Sequence, residues 1–422
     1  MNDESPHPPN KTISEKILNY GFNYLTNLCG KLYIYKGSII SQPTSVDEII
    51  NLVKYAKNKK MKITVVSGGH SNIIMRAFPS INKHKLLVID MQKYKGIKLK
   101  NKKLIINSGA IVKDIKNFNK TLSNYYCLHG DCNKVGMGFW LNGMSGISGI
   151  PYTFFQVGSG SDHIKKINYV DSNGEYKSVV DNNNEFNALK MIAGEFGIVT
   201  SIEVSLEKGK PVITYFMINV DIDKIIILLR QIEKMDYEGN ISIIRISNDR
   251  YIISHTATIE LDDMYSYRLM TEHLGLQVSQ VSYSILNLFI SKKIDVGMGY
   301  NYIDDSEADF IIDLDDNLHK IIKRHEIVYI MISNPKYKSK FNNKIMIGLW
   351  YNKNNYKKIK NDINKYYPNN IKYLNCPLYS EPIKNYITEF SPLSYSKLLE
   401  MKKIMDATNL FVTRYNAFDT LL

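Results

Sequence analysis

Val65-Val66-Ser67-Gly68-Gly69-His70-Ser71 is the stretch on which the fold of this chain turns, and Gly130-Asp131-Cys132-Asn133-Lys134-Val135-Gly136-Met137-Gly138 is its complement. An apolar strand that ends in two glycines can turn sharply and bring its backbone close to a phosphate. The imidazole just beyond such a turn is placed as a nucleophile or ligand, and a plain loop or core histidine is the alternative that the motif by itself leaves open. The cysteine loop carries its own run of small residues, so its amides can lie near the thiol and lower its pKa. A free cysteine also packs as a small buried hydrophobe, and that alternative stays open for Cys132.

Working outward, the pieces recur in a fixed order. Gln42-Pro43-Thr44-Ser45-Val46-Asp47-Glu48 enters a helix, Leu87-Val88-Ile89-Asp90-Met91 is a strand closed by aspartate, and Ile106-Asn107-Ser108-Gly109-Ala110 is a strand followed by glycine. Gly160-Ser161-Asp162-His163 leads to Val170-Asp171-Ser172-Asn173-Gly174, and Ala193-Gly194-Glu195-Phe196-Gly197-Ile198-Val199-Thr200 follows. Near the end, Tyr395 to Phe411 reads as a closing helix and its exit.

This order resembles the flavin-binding domain of the vanillyl-alcohol oxidase superfamily, of the p-cresol methylhydroxylase type, in its berberine-bridge-enzyme-like branch. The resemblance covers roughly the first half of the chain and the last few dozen residues. It implies an α+β fold: a two-subdomain FAD-binding domain plus a substrate domain of antiparallel sheet backed by helices. The expected division is a helical lead over 1–30, the FAD-binding domain over 31–209, a substrate or cap domain over 210–390, and a C-terminal helix and tail over 391–422 that return to the FAD domain.

Carried over residue by residue, the resemblance implies cofactor contacts at Ser67, Gly68, Gly69, His70, Ser71, Gly109, Cys132, Val135, Gly136, Gly138, Asn142, Gly143, Asp162, Gly194, Gly197, Ile198 and Val199. FAD is the expected cofactor, linked at its 8α position to His70 and at carbon 6 of the ring to Cys132. Two such bonds hold the ring without covering its face, leaving the site open to a large substrate. Tyr379, in Pro377-Leu378-Tyr379-Ser380, is the candidate catalytic phenol, against the alternative of one more packing residue among 30 tyrosines.

The chain departs from the family at Phe139-Trp140-Leu141-Asn142-Gly143-Met144, where small residues are expected. Bulk there either narrows the pocket or supplies a stacking wall. Nor does the strand-like Lys344 to Tyr351 carry the family's carboxylate. Two functions follow: an FAD-linked oxidoreductase acting on an alcohol, sugar or similarly activated carbon, or a catalytically degenerate member of the fold serving as a structural or packaging protein. Nicotinamide binding is disfavoured, because Gly143-Met144-Ser145-Gly146-Ile147-Ser148-Gly149 lacks the Gly-x-Gly-x-x-Gly spacing.

Bulk properties set the remaining limits. A chain of 422 residues, 44% hydrophobic, is long enough for two or three domains. It has no apolar run of about eighteen residues or more, and Met1 to Pro9 has no basic start or apolar segment. The expectation is an intracellular protein without signal peptide or membrane span, including one packaged in a particle. Cys29, Cys127, Cys132 and Cys376 are irregularly spaced, which argues against a disulfide framework and against a metal site.

The net charge of +13 comes from dispersed lysines. With Asn, Ile and Tyr also abundant, the composition looks like an AT-rich genome, viral genomes included, and no nucleic-acid-binding motif accompanies it. The expected partners are a small-molecule substrate, with carbohydrate a candidate, and molecular oxygen or another electron acceptor; a homo-oligomer is admitted.

Periodicity predicts a helix over 12–28, a strand over 32–40, a helix over 45–57, short strands over 62–66, 86–89 and 104–107, and a helix over 112–122. Lys95 to Lys103 reads as a solvated turn. Asp171 to Gly174 reads as a hairpin turn, and Glu185 to Met191 as a helix. A second alternating region begins near Gly209-Lys210-Pro211. It has strands over 212–220, 241–246, 251–259, 327–332 and 344–350, and helices over 222–235, 264–286 and 355–366, before a last helix over 398–405.

Overall fold

The computed structural model describes residues 31–35, 38–68, 86–129, 135–137, 163–208, 216–220, 240–247, 250–256, 279–280, 307–313, 316–325, 329–333, 344–350, 356–368, 371–372 and 393–413. The predicted helices over 12–28 and 222–235 lie outside them.

The first layer is built from β1 (Lys31–Tyr35), β2 (Ser38–Gln42), α1 (Val46–Asn58), β3 (Lys62–Val66) and β4 (Leu86–Asp90), with sheet order β1-β2-β4-β3. The single strand expected over 32–40 is instead an antiparallel hairpin, pairing Tyr35 with Ser38. β2 and β3 both run parallel to β4, as crossover connections require.

α1 starts where its cap allows. Ser45 is extended, and its hydroxyl accepts from the Glu48 amide, while the Glu48 carboxylate reaches back to the Thr44 amide at 2.6 Å. Ile49, Leu52, Val53 and Ala56 recur at three- and four-residue steps, and all are fully buried against Ile63, Leu87 and Ile89. Each large apolar side chain so buried contributes roughly 1.5–3 kcal/mol.

The second layer comprises β5 (Ile97–Lys100), β6 (Lys103–Asn107), α2 (Val112–Asn119), β7 (Tyr125–Tyr126), β8 (Ile164–Val170), β9 (Tyr176–Val180), α3 (Asn184–Ile192), β10 (Ile198–Ser205) and β11 (Glu207–Lys208). β5-β6-β10-β8-β9 form an antiparallel five-stranded sheet, and β7 pairs with β11. The lysine-rich stretch read as a solvated turn is thus corrected: residues 97–100 form an edge strand paired with β6, and only Asn101-Lys102 turn. Both turn residues have positive φ, 51° and 59°, as a tight hairpin demands. Lysines fit an edge strand because charge blocks further pairing.

One face of this sheet is apolar. Leu104, Ile106, Ile167, Tyr169, Ile202 and Val204 pack into one cluster with Ile115, Phe186 and Leu189. The opposite face carries Lys103, Lys166, Asn168, Ser201 and Glu203, and register shifts between β10 and β8 at Val199/Ser201 and at Glu203/Val204 interrupt the alternation. α2 ends at Asn119, earlier than predicted, where the Thr121 amide bonds back to the Phe118 carbonyl.

The β8–β9 connection is the expected Asp171 to Gly174 turn. Gly174 has φ +76°, and Asp171 Oδ1 accepts from the amides of Asn173 and Glu175. The two layers meet here, since Val170 and Ile198 belong to the first core and Lys57 Nζ donates to Asn173 Oδ1 at 2.8 Å.

The remaining strands are β12 (Phe216–Val220), β13 (Asn240–Ser247), β14 (Arg250–Thr256), β15 (Ser279–Gln280), β16 (Glu307–Asp313), β17 (Tyr329–Ser333), β18 (Lys344–Trp350) and β19 (Ile371–Lys372). They form an eight-stranded sheet in the order β15-β12-β14-β13-β17-β18-β16-β19, antiparallel throughout. Among the described residues, its helices are α4 (Asp316–Arg324) and α5 (Tyr356–Tyr366). Here β15 falls inside the helix expected over 264–286, so that helix is not continuous. β16, α4 and β19 had no sequence expectation. Arg324 and His325 each contact Asp362 Oδ2 at 2.9 Å, tying α4 to α5.

α6 (Tyr395–Met405) returns the chain to the first two layers. Leu398, Met401 and Met405 enter the core of the second sheet, and the segment after α6 runs alongside β3. The Ile63 amide donates to the Leu410 carbonyl, and the Val412 amide to the Ile63 carbonyl. No helix among the described residues is long and apolar enough to cross a membrane.

Candidate cofactor site

Three backbone segments converge at the end of β3. Ser67 Oγ donates to the Ser108 carbonyl at 2.5 Å, fixing the exit of β3 to the turn after β6. Gly136 lies against the same place: a Cβ there would stand 2.2 Å from the Gly68 nitrogen and 2.5 Å from Ser67 Oγ. Only glycine permits that approach.

The turn after β6 is held from both sides. The Ser108 amide donates to the Thr200 carbonyl of β10, and the Gly109 amide to the Tyr94 carbonyl. A Cβ on Gly109 would lie 1.9 Å from the Met91 carbonyl oxygen. The chain from 110 to 112 then bonds to the 135–137 segment, Val112 amide to Val135 carbonyl and Met137 amide to Ala110 carbonyl. Gln92, whose amide is capped by Asp90, donates through Nε2 to the Gly68 carbonyl at 3.3 Å.

One group in this arrangement is unspent. Ser108 Oγ is buried, and no described residue offers it a hydrogen bond. A buried hydroxyl left so costs about 1–3 kcal/mol. A phosphate oxygen at this turn would satisfy it, and the glycines at 68, 109 and 136 leave room for the close approach of a pyrophosphate to the backbone. The residues present therefore fit the phosphate-bearing part of a dinucleotide.

The second predicted group sits at the start of β10. Gly197 packs under the Tyr169 ring, where a Cβ would lie 2.7 Å from a ring carbon, and Gly194 lies against the Thr413 methyl. Ile198 and Val199 are buried, Ile198 in the first core and Val199 in the second. Their backbone pairs with β8 on one side and extends beyond the last β6 rung, Ser201 to Asn107, on the other. The Thr200 to Ser108 bond joins this turn to the first group.

Of the residues singled out in the sequence, the fold thus gathers Ser67, Gly68, Gly109, Val135 and Gly136 in one place and sets Gly194, Gly197, Ile198 and Val199 on the adjoining strand. Gly69, His70, Ser71, Cys132, Gly138, Asn142, Gly143, Asp162 and Tyr379 lie outside the described residues. Ser108 was missed, although a hydroxyl just before the glycine of a strand-glycine turn was a usable signal.

A buried polar cluster braces the second group. Lys402 Nζ donates to the Glu195 carbonyl at 2.5 Å, to Asp406 Oδ2 at 2.8 Å and to the Phe411 carbonyl at 2.8 Å. Asp406 accepts from the amides of Leu410 and Phe411, while Glu195 Oε1 accepts from the Thr413 amide and hydroxyl. Glu195 Oε2 lies 3.8 Å from Lys402 Nζ without a hydrogen bond. Burial, then the Glu195 charge, holds the Tyr395 phenol above its ordinary pKa. The cluster fastens the Gly194 to Gly197 turn to the segment that borders β3.

Residues 38–179 match the family described as an FAD binding domain. Over that stretch the chain is similar to FAD binding domains. The matched stretch takes in Ser67 to Ser71, Gly109, Cys132 to Gly143 and Asp162, and ends before Gly194.

Solved structures extend the likeness in fold over most of the chain. Xylooligosaccharide oxidase from Myceliophthora thermophila C1, in complex with xylobiose, aligns with 14% identity over 93% of this chain and 98% of that one, TM-score 0.70. For 6-hydroxy-D-nicotine oxidase from Arthrobacter nicotinovorans the values are 18%, 94% and 96%, with TM-score 0.68. Berberine bridge enzyme, as a variant, gives 14%, 96% of both chains and TM-score 0.67. No curated protein matches the chain.

Proposed function

We propose that the chain is an FAD-linked oxidoreductase that oxidises an alcohol, a sugar or a similarly activated carbon, with the flavin joined to His70 and Cys132. The observation that carries this reading is the cradle in which Gly136 meets Ser67-Gly68 beside the unspent hydroxyl of Ser108. It is supported by a fold shared with proteins named as oxidases of a xylooligosaccharide and of a nicotine derivative.

When bound, FAD supplies the acceptor for the electron pair of the substrate's carbon-hydrogen bond and passes it to molecular oxygen or another acceptor. The Ser108 hydroxyl donates to a phosphate oxygen, while Ser67, spent on the Ser108 carbonyl, holds the turn. His70, two residues past Gly68, would hold the flavin through its imidazole and Cys132, four residues before Gly136, through its thiolate; each addition, with loss of a proton, leaves the ring two electrons reduced, and molecular oxygen or another acceptor would take up that pair. Tyr379 takes the proton of the substrate hydroxyl. Residues 210–390 form the substrate cap, whose antiparallel sheet gives a wall for the substrate, and residues 391–422 return to the FAD domain.

The test is anaerobic: flavin-loaded protein is mixed with a panel of alcohols and sugars, and loss of the visible flavin band is followed. One of them should bleach the band, oxygen or a dye should restore it, and Tyr379→Phe should slow bleaching about a hundredfold. Bleaching by dithionite only, with assembly of the protein into particles, would overturn the enzymatic reading in favour of a structural protein on the same fold.

A further inference from the structure

The polar face of the five-stranded sheet holds a second pocket, away from the cofactor cradle. It encloses about 290 Å³ and is lined by Lys100, Lys103, Ile105, Lys166, Asn168 and Glu203. Cross-strand register puts them together: Ile105 pairs with Glu203, and Glu203 with Lys166. Lys103 and Ser108 mark opposite ends of the β6 turn-to-turn run, about 17 Å apart at ~3.3 Å per residue.

Its side chains divide into two kinds. Lys103 Nζ is engaged, 2.7 Å from Glu203 Oε1. The Asn168 amide is oriented by its neighbours, donating to Ser201 Oγ at 2.9 Å and accepting from Ser178 Oγ at 2.5 Å. Lys100 and Lys166, in contrast, have no acidic partner among the described residues. A concave site with two unengaged ammonium groups attracts an anion. Ile105 supplies an apolar wall, and the Glu203 carboxylate has one oxygen left as a hydroxyl acceptor.

We infer that this pocket binds a small hydroxylated phosphate ester. Lys100 and Lys166 hold the phosphate, while Glu203 and Ile105 contact the hydroxyl-bearing carbon skeleton. A volume near 290 Å³ lies at the lower end of small-molecule sites, which suits a ligand of monosaccharide phosphate size. A carboxylate inside the pocket disfavours a bare, multiply charged anion and gives a neutral hydroxyl a partner.

Isothermal titration of flavin-loaded protein with glucose 6-phosphate tests it. Saturable binding of one equivalent is expected, weakened tenfold or more in the double variant Lys100→Gln with Lys166→Gln, whose flavin content and melting temperature should match the parent. Lys98→Gln, on the same strand but outside the pocket, should bind as the parent does. Absence of binding, equal affinity in the double variant, or equal weakening by Lys98→Gln would overturn the inference. So would binding of glucose or of inorganic phosphate as tight as that of the ester.

Discussion

The α-carbon of Gly136 stands against the backbone of Gly68, so closely that a methyl group on it would lie 2.2 Å from the Gly68 nitrogen. Two segments far apart in sequence are thereby locked at the turn where a pyrophosphate would lie. The atom to be met is backbone, which cannot rotate aside. Gly136→Ala is therefore expected to cost about 1–3 kcal/mol through overpacking. It should also empty the cofactor site, giving flavin content well below the parent's at matched expression. Denaturant unfolding and the flavin-to-protein absorbance ratio check both parts.

Lys402→Met removes the one cation at the centre of the Glu195, Asp406 and Phe411 contacts. Two buried carboxylates then lose their compensation, and breaking a buried pair in this way costs about 3–5 kcal/mol. A similar chain length keeps packing nearly constant, so the change in unfolding midpoint reports the charge. A shift within 0.5 kcal/mol, on the scale of about that size seen for ordinary surface substitutions, would count against the brace.

The turn between β8 and β9 has a pH signature. Burial alone would raise the Asp171 carboxyl, but the Lys177 ammonium and the amides of Glu175 and Asn173 outweigh it and hold the pKa below the ordinary aspartate value. A lowered folded pKa stabilises above the unfolded pKa, about 3.9, and the benefit disappears as pH falls through the still lower folded value. Asp171→Ala should thus lose about 1–3 kcal/mol at neutral pH. The gap to the parent should close progressively in acid, as unfolding curves at several pH values would record.

How much of this was open to sequence reasoning depended on whether a signal was local. α1 was legible because Ser45, Glu48 and the apolar stripe from Ile49 to Ala56 all lie within one short window. The Asp171 to Gly174 turn was legible for the same reason. β5 was not, because Lys98 and Lys100 on an exposed edge look like any solvated charge run; only pairing with β6 distinguishes them. α4 offered Leu318, Ile321 and Ile322 at helical spacing, a short stripe that went unread. In the site, glycines announced close approach, yet not to what: that Gly136 meets Gly68, or that Lys402 meets Glu195, depends on contacts across tens to hundreds of residues.

Cysteine labelling addresses the second covalent bond. Cys127 is fully buried, and burial pushes its thiol pKa up, so it should resist alkylation in the native protein and react after denaturation. Cys29 and Cys376 should also be labelled after denaturation, while Cys132 stays blocked in flavin-loaded chains. Labelling at all four positions of flavin-loaded, denatured protein would remove the thioether and leave the histidine bond to be judged separately.

The central claim, that this chain holds FAD covalently through the histidine after its Gly68-Gly69 turn, is tested most directly by intact mass after acid precipitation. Protein from a flavin-replete host should carry the added mass of FAD and stay yellow in the pellet, and a peptide containing His70 should bear the modification. A parent protein whose mass equals that of the bare polypeptide, with all flavin in the supernatant or none at all, would contradict it.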